Sequence, residues 1–303
     1  MGTTYRLALL GLVLPSLGGA QGSDTLQQRA ARAWAAGDWA QVAESYSTLA
    51  QQTPDVALPH LRLGVALIYL GRGTEARPHL EAAERLGTSL PQAAFRLGQM
   101  QASLGNAEGA FAELKRATDA GLAVLPVSAD TDPVLGRLKT DRRFGEFLAA
   151  VDRNAHPCLH NPKHAEFDFW LGEWEVRPRG QAAAMPSTNV ITKIHDGCVV
   201  LETYTAGSYT GQSFNIYDRT RRQWNQTWVD KMGGLHVYWG EARGGNMYYE
   251  GEMPDPANPS QRIRTRLTFF GTARDTVRQF SESTRDEGKT WTVNYDLLYT
   301  RKR

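Results

Sequence analysis

A spacing of 34 residues recurs through the first half of the sequence. Gly37, Gly71 and Gly105 are separated by this step, and so are the Leu-Gly pairs at 63–64 and 97–98. A unit repeated at such a period cannot bury its apolar face alone, so successive units stack around a continuous core. Glycine readily takes the left-handed conformation that ends a helix. We therefore expect stacked hairpins of two helices each. Two further sets of positions keep the same spacing: Val42, Ala76 and Ala110, and Tyr46, Leu80 and Leu114.

This period is that of the tetratricopeptide repeat, and residues 24–120 resemble three such repeats. The match is weaker in the first repeat, where Ala30 and Val42 replace the expected glycine and alanine. Three stacked repeats form a layer with a concave face that suits a peptide or protein partner. We therefore predict a protein partner on this concave face. The alternative is a scaffold whose groove is filled by the following segment, residues 121–151, in which we expect a loop and a capping helix.

The composition changes after a predicted linker at residues 152–165. Six of the eight tryptophans and eight of the eleven tyrosines lie beyond it, as β-strands favour. Turn pairs such as Asp196-Gly197 and Gly244-Gly245 separate short alternating runs. Successive hairpins without an intervening helix predict an antiparallel up-and-down barrel over residues 166–303. The fold class is therefore multidomain α + β. The expected strands, about ten in number, are 167–177, 188–195, 198–206, 212–218, 222–230, 234–242, 246–252, 261–270, 275–284 and 290–301.

Two motifs at the ends of this region resemble the lipocalin-like (calycin) superfamily. They are Gly172-x-Trp174 on the first strand and Tyr299-x-Arg301 on the last. The resemblance implies that the tryptophan closes one end of the barrel and that the basic residue stacks on its ring. The resemblance covers about residues 165–303. A narrower likeness, to an uncharacterised bacterial family with no established activity, rests on Phe167-Asp-Phe-Trp-Leu-Gly-Glu-Trp174, Gly197-Cys198, Gly211-x-Ser213-x-Asn215-x-Tyr217-Asp218, Trp224-x-Gln226-x-Trp228-x-Asp230 and Asp286-x-Gly288-x-Thr290-Trp291.

The faces of the predicted strands indicate a ligand cavity. Alternation places Trp224, Gln226, Trp228 and Asp230 on one side of a strand. A face that mixes tryptophan with glutamine and aspartate suits a cavity better than a solvated exterior. The alternative is a satisfied hydrogen-bonded belt, or an outward position. The predicted ligand-binding residues are Trp170, Trp174, Glu202, Asn215, Tyr217, Gln226, Trp228, Asp230, Arg266, Glu282 and Arg301. Tyr204 and Tyr295 are further candidates.

The function that these patterns favour is binding of a small, partly apolar molecule, with no cofactor and no catalytic residue predicted. Three alternatives stay open. Glu202, Asp230 and Glu282 could supply paired carboxylates to an enzyme. His236 could hold haem in the barrel, and is better placed than His195, which lies at a turn. The barrel could also be packed solid and serve only protein–protein interaction.

The N-terminus has the pattern of a signal peptide over residues 1–20. Arg6 precedes a short apolar run, and Gly18-Gly19-Ala20 offers small residues for cleavage. The run is too short to span a bilayer, which takes about 20 apolar residues. We therefore predict an exported protein, periplasmic or secreted, without a membrane span. The net charge of +2 predicts no nucleic-acid binding.

Export makes a Cys158–Cys198 disulfide the expected state of the two cysteines. The alternative is a pair of thiols too far apart to meet. Cys158 also lies among three histidines of the linker, His156, His160 and His164, and such clusters can bind zinc or copper. No second cysteine pair completes a site of this kind, so we predict a linker without metal.

Overall fold

The computed structural model describes residues 25–255 and 257–302. The predicted signal peptide lies outside these residues. The chain divides into two compact units with the boundary between Leu148 and Ala149. The first unit is helical, and the second contains a β-barrel. This architecture confirms the predicted α + β class.

Six helices form three consecutive antiparallel hairpins at the predicted period. Gly37, the first glycine of the repeated series, takes the left-handed conformation (φ 69°) that ends the first helix, as expected. Side chains close the N-terminal ends: Thr25 and Gln28 form a capping box, and Asp38 and Asn106 each accept a backbone N–H three residues ahead. The helices are α1 (Leu26–Ala36), α2 (Trp39–Gln52), α3 (Ala57–Tyr69), α4 (Gly73–Arg85), α5 (Leu90–Ser103) and α6 (Ala107–Asp119).

The helices of a hairpin approach most closely at the glycine of each Leu-Gly pair. A Cβ atom on Gly64 would lie 2.6 Å from the side chain of Leu80, and one on Gly98 would lie 3.0 Å from that of Leu114. The opposing small residues, Ala76 and Ala110, are fully buried. The recurring small residues therefore set the distance between paired helices.

A short segment and one more helix complete the first unit and lead into the second. A 3₁₀ turn covers Leu135–Leu138, and α7 runs from Arg142 to Ala155. Helix α7 thus continues into the segment that we predicted as linker. A second 3₁₀ turn, Pro162–Ala165, follows before the barrel.

Ten antiparallel strands close into a barrel in which every strand pairs with its sequence neighbours and β1 pairs with β10. The tight connection between β6 and β7 uses Gly244 and Gly245, both at positive φ (56° and 78°), as a two-residue hairpin requires. The strands are β1 (Gly172–Pro178), β2 (Ser187–Ile194), β3 (Val199–Ala206), β4 (Tyr209–Asp218), β5 (Gln223–Asp230), β6 (Leu235–Arg243), β7 (Asn246–Asp255), β8 (Asn258–Ala273), β9 (Thr276–Thr284) and β10 (Thr292–Arg301).

An aromatic cluster fills the end of the barrel at which β1 begins. Residues 167–171 do not extend β1, as we had expected, but form a 3₁₀ turn at Asp168–Trp170 beneath this end. The turn lets Phe167 and Trp170 stack at 4.8 Å and pack on Phe269. We call this the closed end. Its buried side chains are Phe167, Trp170, Trp174, Val176, Trp224, Met247, Tyr249, Phe269, Val277 and Tyr299.

Trp174 and Arg301 join the first and last strands at the closed end. The Arg301 guanidinium lies 4.2 Å from the centroid of the Trp174 ring and donates to the Leu171 carbonyl at 2.9 Å. Gly172, the first residue of β1, has φ 130°, and a Cβ there would collide with the Arg301 side chain. Glycine is therefore required at this position both for its conformation and for the close approach of the arginine.

The disulfide between Cys158 and Cys198 is formed, as predicted. It links the segment before the barrel to the turn between β2 and β3. The bond closes a sequence separation of 40 residues. It therefore fastens the chain that covers the closed end.

Candidate functional site

A cavity of about 590 Å³ occupies the barrel at the end opposite the aromatic cluster. Its lining comes from the last residues of β3, β5, β7 and β9 and the first residues of β4, β6, β8 and β10, because neighbouring strands run antiparallel. The volume falls within the range of pockets that hold drug-sized ligands, roughly 300–1,000 Å³. The barrel is therefore packed at one end and hollow at the other.

Aromatic side chains form much of the cavity wall. Tyr204 contacts both Trp228 and Tyr209 edge to face, with ring centroids 6.2 Å and 6.3 Å apart. Tyr238 and Tyr295 line other parts of the wall. Burial raises the pKa of Tyr238 to about 12, so its hydroxyl stays neutral. Such walls offer apolar ring faces together with neutral hydroxyl groups.

Glu202 is the one carboxylate buried deep in this lining, at 3% exposure. Asn189 Nδ2 donates to its Oε1 at 2.6 Å, and Ser213 Oγ donates to its Oε2 at 2.6 Å. Burial nevertheless raises the pKa of the Glu202 carboxyl to about 7, since these two hydrogen bonds offset only part of the lost hydration. Near neutral pH this group is therefore poised between its neutral and charged forms.

Buried amides and hydroxyls surround Glu202 and separate it from the aromatic cluster. Tyr299 Oη donates to Gln279 Oε1 at 2.5 Å and accepts from Asn189. Asn215 donates to Ser213 Oγ at 2.9 Å. This polar layer forms the floor of the cavity.

The rim is held mainly by Asp230. Its Oδ1 accepts the backbone N–H groups of Met232 and Gly234, and its Oδ2 accepts the hydroxyl of Tyr209 and the indole N–H of Trp228. These bonds, with that from Gly234 the largest contribution, lower the pKa of the Asp230 carboxyl. Asp230 therefore fixes the turn after β5 and the two aromatic residues of the wall.

Arg285 and His236 also lie at the rim. Arg285 Nε lies 2.7 Å from Asp255 Oδ2, so its charge is already paired. His236 stacks on Tyr238 with ring centroids 6.3 Å apart. It is the one histidine among the described lining residues.

No protein-family model matches this chain, and no curated protein does either. Among solved structures, the crystal structure of PcrH in complex with the chaperone binding region of PopD is similar to part of it. The identity is 21%, the match covers 42% of this chain and 87% of that chain, and the TM-score is 0.31. A similarity this weak supports no statement about this chain.

The structure brings four of the predicted ligand-binding residues to the cavity: Glu202, Gln226, Trp228 and Asp230. Asn215 lies beneath it in the polar layer. Trp170, Trp174, Tyr217 and Arg301 lie at the closed end, where Tyr217 contacts the rings of His164 and Trp224.

Arg266 and Glu282 lie apart from the cavity on the outer face of the barrel. Their side chains are 3.8 Å apart, and the Arg266 guanidinium also lies 4.0 Å from the centroid of Trp291. Ile263, Thr265 and Leu267 point inward from the same strand, so alternation turns Arg266 outward.

Several lining residues were missed by the sequence reasoning. For most of them, alternation along β4 and along β6 to β10 was the pattern that could have identified the inward face. Arg285 follows β9 and carries no such signal. The missed residues are Tyr209, Tyr238, Met253, Ile263, Thr265, Leu267, Gln279, Ser281, Ser283, Arg285, Asn294, Leu297 and Tyr299.

The linker histidines do not converge on a common site. His156 and His160 both contact Asp152, at 3.0 Å and 2.7 Å. His164 is buried against aromatic rings, and burial lowers its pKa. Across residues 25–255 and 257–302, no group of three or more His, Cys, Asp or Glu residues is arranged to hold a metal ion.

A second polar cluster lies on the helical unit, where α3 and α5 pack side by side. Asp132, from the segment after α6, accepts hydrogen bonds from Tyr69 of α3 and from Gln99 of α5, the latter at 3.4 Å. It also accepts the N–H groups of Val134 and Leu135. The chain's own segment therefore covers part of the face formed by these helices.

None of the helices in the described part of the chain is long and apolar enough to cross a membrane.

Proposed function

We propose that this chain is an exported binding protein whose barrel, of the lipocalin-like kind, holds one small and partly apolar molecule. The observation that carries the proposal is the cavity of about 590 Å³ at one end of the barrel. An apolar aromatic wall with a few polar groups is the usual construction of a ligand site. The aromatic cluster and the disulfide lie at the other end of the barrel, so the proposed site does not need those side chains for its own lining.

The fluorescence of N-phenyl-1-naphthylamine, a neutral and largely apolar dye, tests this proposal. We expect one dye to bind per chain with enhanced emission. Thr265 faces the cavity from β8, so Thr265→Trp fills part of the space and should weaken binding at least about tenfold, the loss of roughly 1.4 kcal/mol.

Thr203→Trp is the matched control, because Thr203 is exposed on the outer face of β3. It should bind the dye as the unchanged chain does. Equal binding by both variants, or no saturable binding by the unchanged chain, would refute the proposal.

The proposed export rests on the signal-peptide pattern at residues 1–20 and is supported by the disulfide, which persists in oxidising compartments. Fractionation of the source cells with an antibody to the barrel would test it. The mature protein should begin after Ala20 and lie outside the cytoplasm. Intact Met1 on a cytoplasmic protein would contradict it.

We further propose that the helical unit, as a tetratricopeptide layer, contacts a protein partner beside the Asp132 segment. Trp34 and Arg62, which are both partly exposed, support this position: the Arg62 guanidinium lies 5.0 Å from the Trp34 ring. The buried Tyr46 positions Arg62, with its ring 5.3 Å from the guanidinium and its hydroxyl accepting a hydrogen bond. Tryptophan, tyrosine and arginine dominate the binding energy of protein interfaces. The surface is formed by α1, α2 and α3.

Co-purification of the tagged full chain from its own source tests the partner. Arg62→Ala should remove a protein that the unchanged chain retains. Arg72→Ala, which alters an exposed ion pair with Glu75, should retain it. Loss from both variants, or from neither, would refute this surface.

A further inference from the structure

Negative charge predominates among the side chains that line the cavity. Glu202 and Asp230 are its lining carboxylates, whereas Arg285, its lining guanidinium, is already paired with Asp255. No lysine lies among the described lining residues. The free charge available to a guest is therefore negative.

Glu202 lacks the cation that usually accompanies a buried carboxylate. Its hydrogen-bond partners, Asn189 and Ser213, are neutral, and each donates one hydrogen bond to one of the two carboxylate oxygens. A carboxylate oxygen can accept two hydrogen bonds, so acceptor capacity remains on both. Asn189 Oδ1 is also buried without a hydrogen-bond donor in the part of the chain that the structure describes. The floor thus has more acceptors than donors.

The wall above this floor suits a cation as well. Ring faces of tyrosine and tryptophan attract ammonium groups, and the attraction grows when the groups are removed from water. Tyr204, Trp228, Tyr238 and Tyr295 supply such rings around the same cavity as Glu202. An ammonium group would therefore meet complementary charge at the floor and complementary rings at the wall.

We propose that the cavity selects small organic amines, which bind as ammonium ions hydrogen-bonded to Glu202 with their apolar part against the aromatic wall. The proposal rests on the proposed binding function and names the chemical class of the ligand. Neutral alcohols and carboxylates of the same shape leave the charge of Glu202 uncompensated, so the cavity binds them more weakly.

Isothermal titration of the full chain with two matched sets of probes tests the selection. The sets are tryptamine, tryptophol and indole-3-propionate, and octylamine, 1-octanol and octanoate. Each amine should bind at least about tenfold more tightly than its alcohol, because a hydrogen bond between charged groups is stronger than one to a neutral group. The carboxylates should bind most weakly.

Glu202→Gln keeps the shape of the side chain and removes its charge. In this variant the advantage of the amine over the alcohol should fall at least about tenfold. Glu252→Gln is the control, because Glu252 lies on the outer face of β7 with Arg262 and Arg264 and should leave that advantage unchanged.

The unchanged chain supplies a second readout that does not depend on the folding of a variant. Amine binding favours the ionised carboxyl, so protons should be released. With a pKa of about 7, Glu202 is about three-quarters protonated at pH 6.5, and the release should approach 0.7–0.8 proton per amine bound. Titrations in buffers of different ionisation enthalpy measure this number. Alcohol binding should release none.

Other titratable groups also face Glu202 or line the same cavity. Burial raises the pKa values of Tyr299 of β10 and Tyr249 of β7, and the negative charge of Glu202 adds to the shift. The pKa of Tyr295 of β10, which is partly exposed, is raised as well. These tyrosines therefore stay neutral. Tyr204 of β3, Tyr209 of β4, Asp230, His236, Tyr238 and Arg285 also line the cavity, and the proton count in His236→Gln separates the share of that histidine.

The outcomes distinguish the two proposals. If amines and alcohols bind equally and no proton is released, the amine inference is wrong while the binding cavity stands. If none of the six probes binds and the dye of the preceding section also fails, the binding function itself is refuted.

Discussion

Replacing Glu202 by glutamine should change how the stability of the barrel depends on pH. Glu202 is buried, and its pKa in the folded chain is about 7 against an ordinary value of 4.5. That difference corresponds to about 3 kcal/mol of unfavourable free energy when the carboxyl is ionised in the folded state. The glutamine side chain bears no such cost at any pH.

The sign follows from the proton counts. Between pH values of about 4.5 and 7 the folded chain binds the Glu202 proton more tightly than the unfolded chain does. The free energy of unfolding therefore falls as pH rises through this range, and the full contribution is present only below about pH 4.5. From about pH 5 to pH 8 the loss should be close to 2.5 kcal/mol.

Urea denaturation followed by tryptophan fluorescence measures this loss, because six of the eight tryptophans lie in the second half of the chain. The difference in unfolding free energy between the unchanged chain and Glu202→Gln should fall by about 2.5 kcal/mol over that pH range. Glu252→Gln should keep the pH dependence of the unchanged chain. A difference that stays constant from about pH 5 to pH 8 would show that Glu202 titrates normally and refute the reasoning.

Three further substitutions test the interactions that stabilise the two units, each by a measurement of unfolding. Replacing Cys158 and Cys198 together by serine reopens a loop of 40 residues and should cost about 4 kcal/mol in the chain-entropy picture; an unchanged midpoint would contradict it. Gly98→Val should destabilise the helical unit by roughly 2 kcal/mol or more, because even a Cβ there lies 3.0 Å from a leucine of the next helix. Thermal melts followed by circular dichroism measure this effect, and an unchanged melting temperature would contradict the prediction. Arg301→Met keeps the aliphatic part of the side chain but loses the cation–π contact with Trp174 and the hydrogen bond to the Leu171 carbonyl. The free energy of unfolding should fall by about 1–2 kcal/mol. An unchanged value would show that these contacts do not stabilise the barrel.

The architecture was largely predictable because both halves carry a strong period. The 34-residue spacing reflects a physical constraint at Gly64 and Gly98, where a larger side chain would push apart two helices. Alternation in the second half predicted ten strands and the direction in which Gln226 points. Both patterns arise from packing within a helical hairpin or along a strand, so a single sequence is enough to reveal them.

The candidate site was less predictable because alternation gives the face of a residue but not its depth. Trp174 and Glu202 both point into the barrel, yet one fills the closed end and the other lies on the floor of the cavity. Depth depends on the register of all ten strands, which no short window of sequence contains. Arg266 is a different case: its strand was correctly phased, and the structure places its side chain on the outer face, apart from the cavity.

Native mass spectrometry of the full chain, purified from its own source and sprayed with and without denaturant, tests the central claim most directly. The account predicts one additional small mass per chain that is lost on unfolding, and a basic nitrogen in the compound released. A saturable ligand that is neutral or acidic would contradict the amine inference alone. An empty chain that also fails to take up the neutral dye or the amines would contradict the binding function.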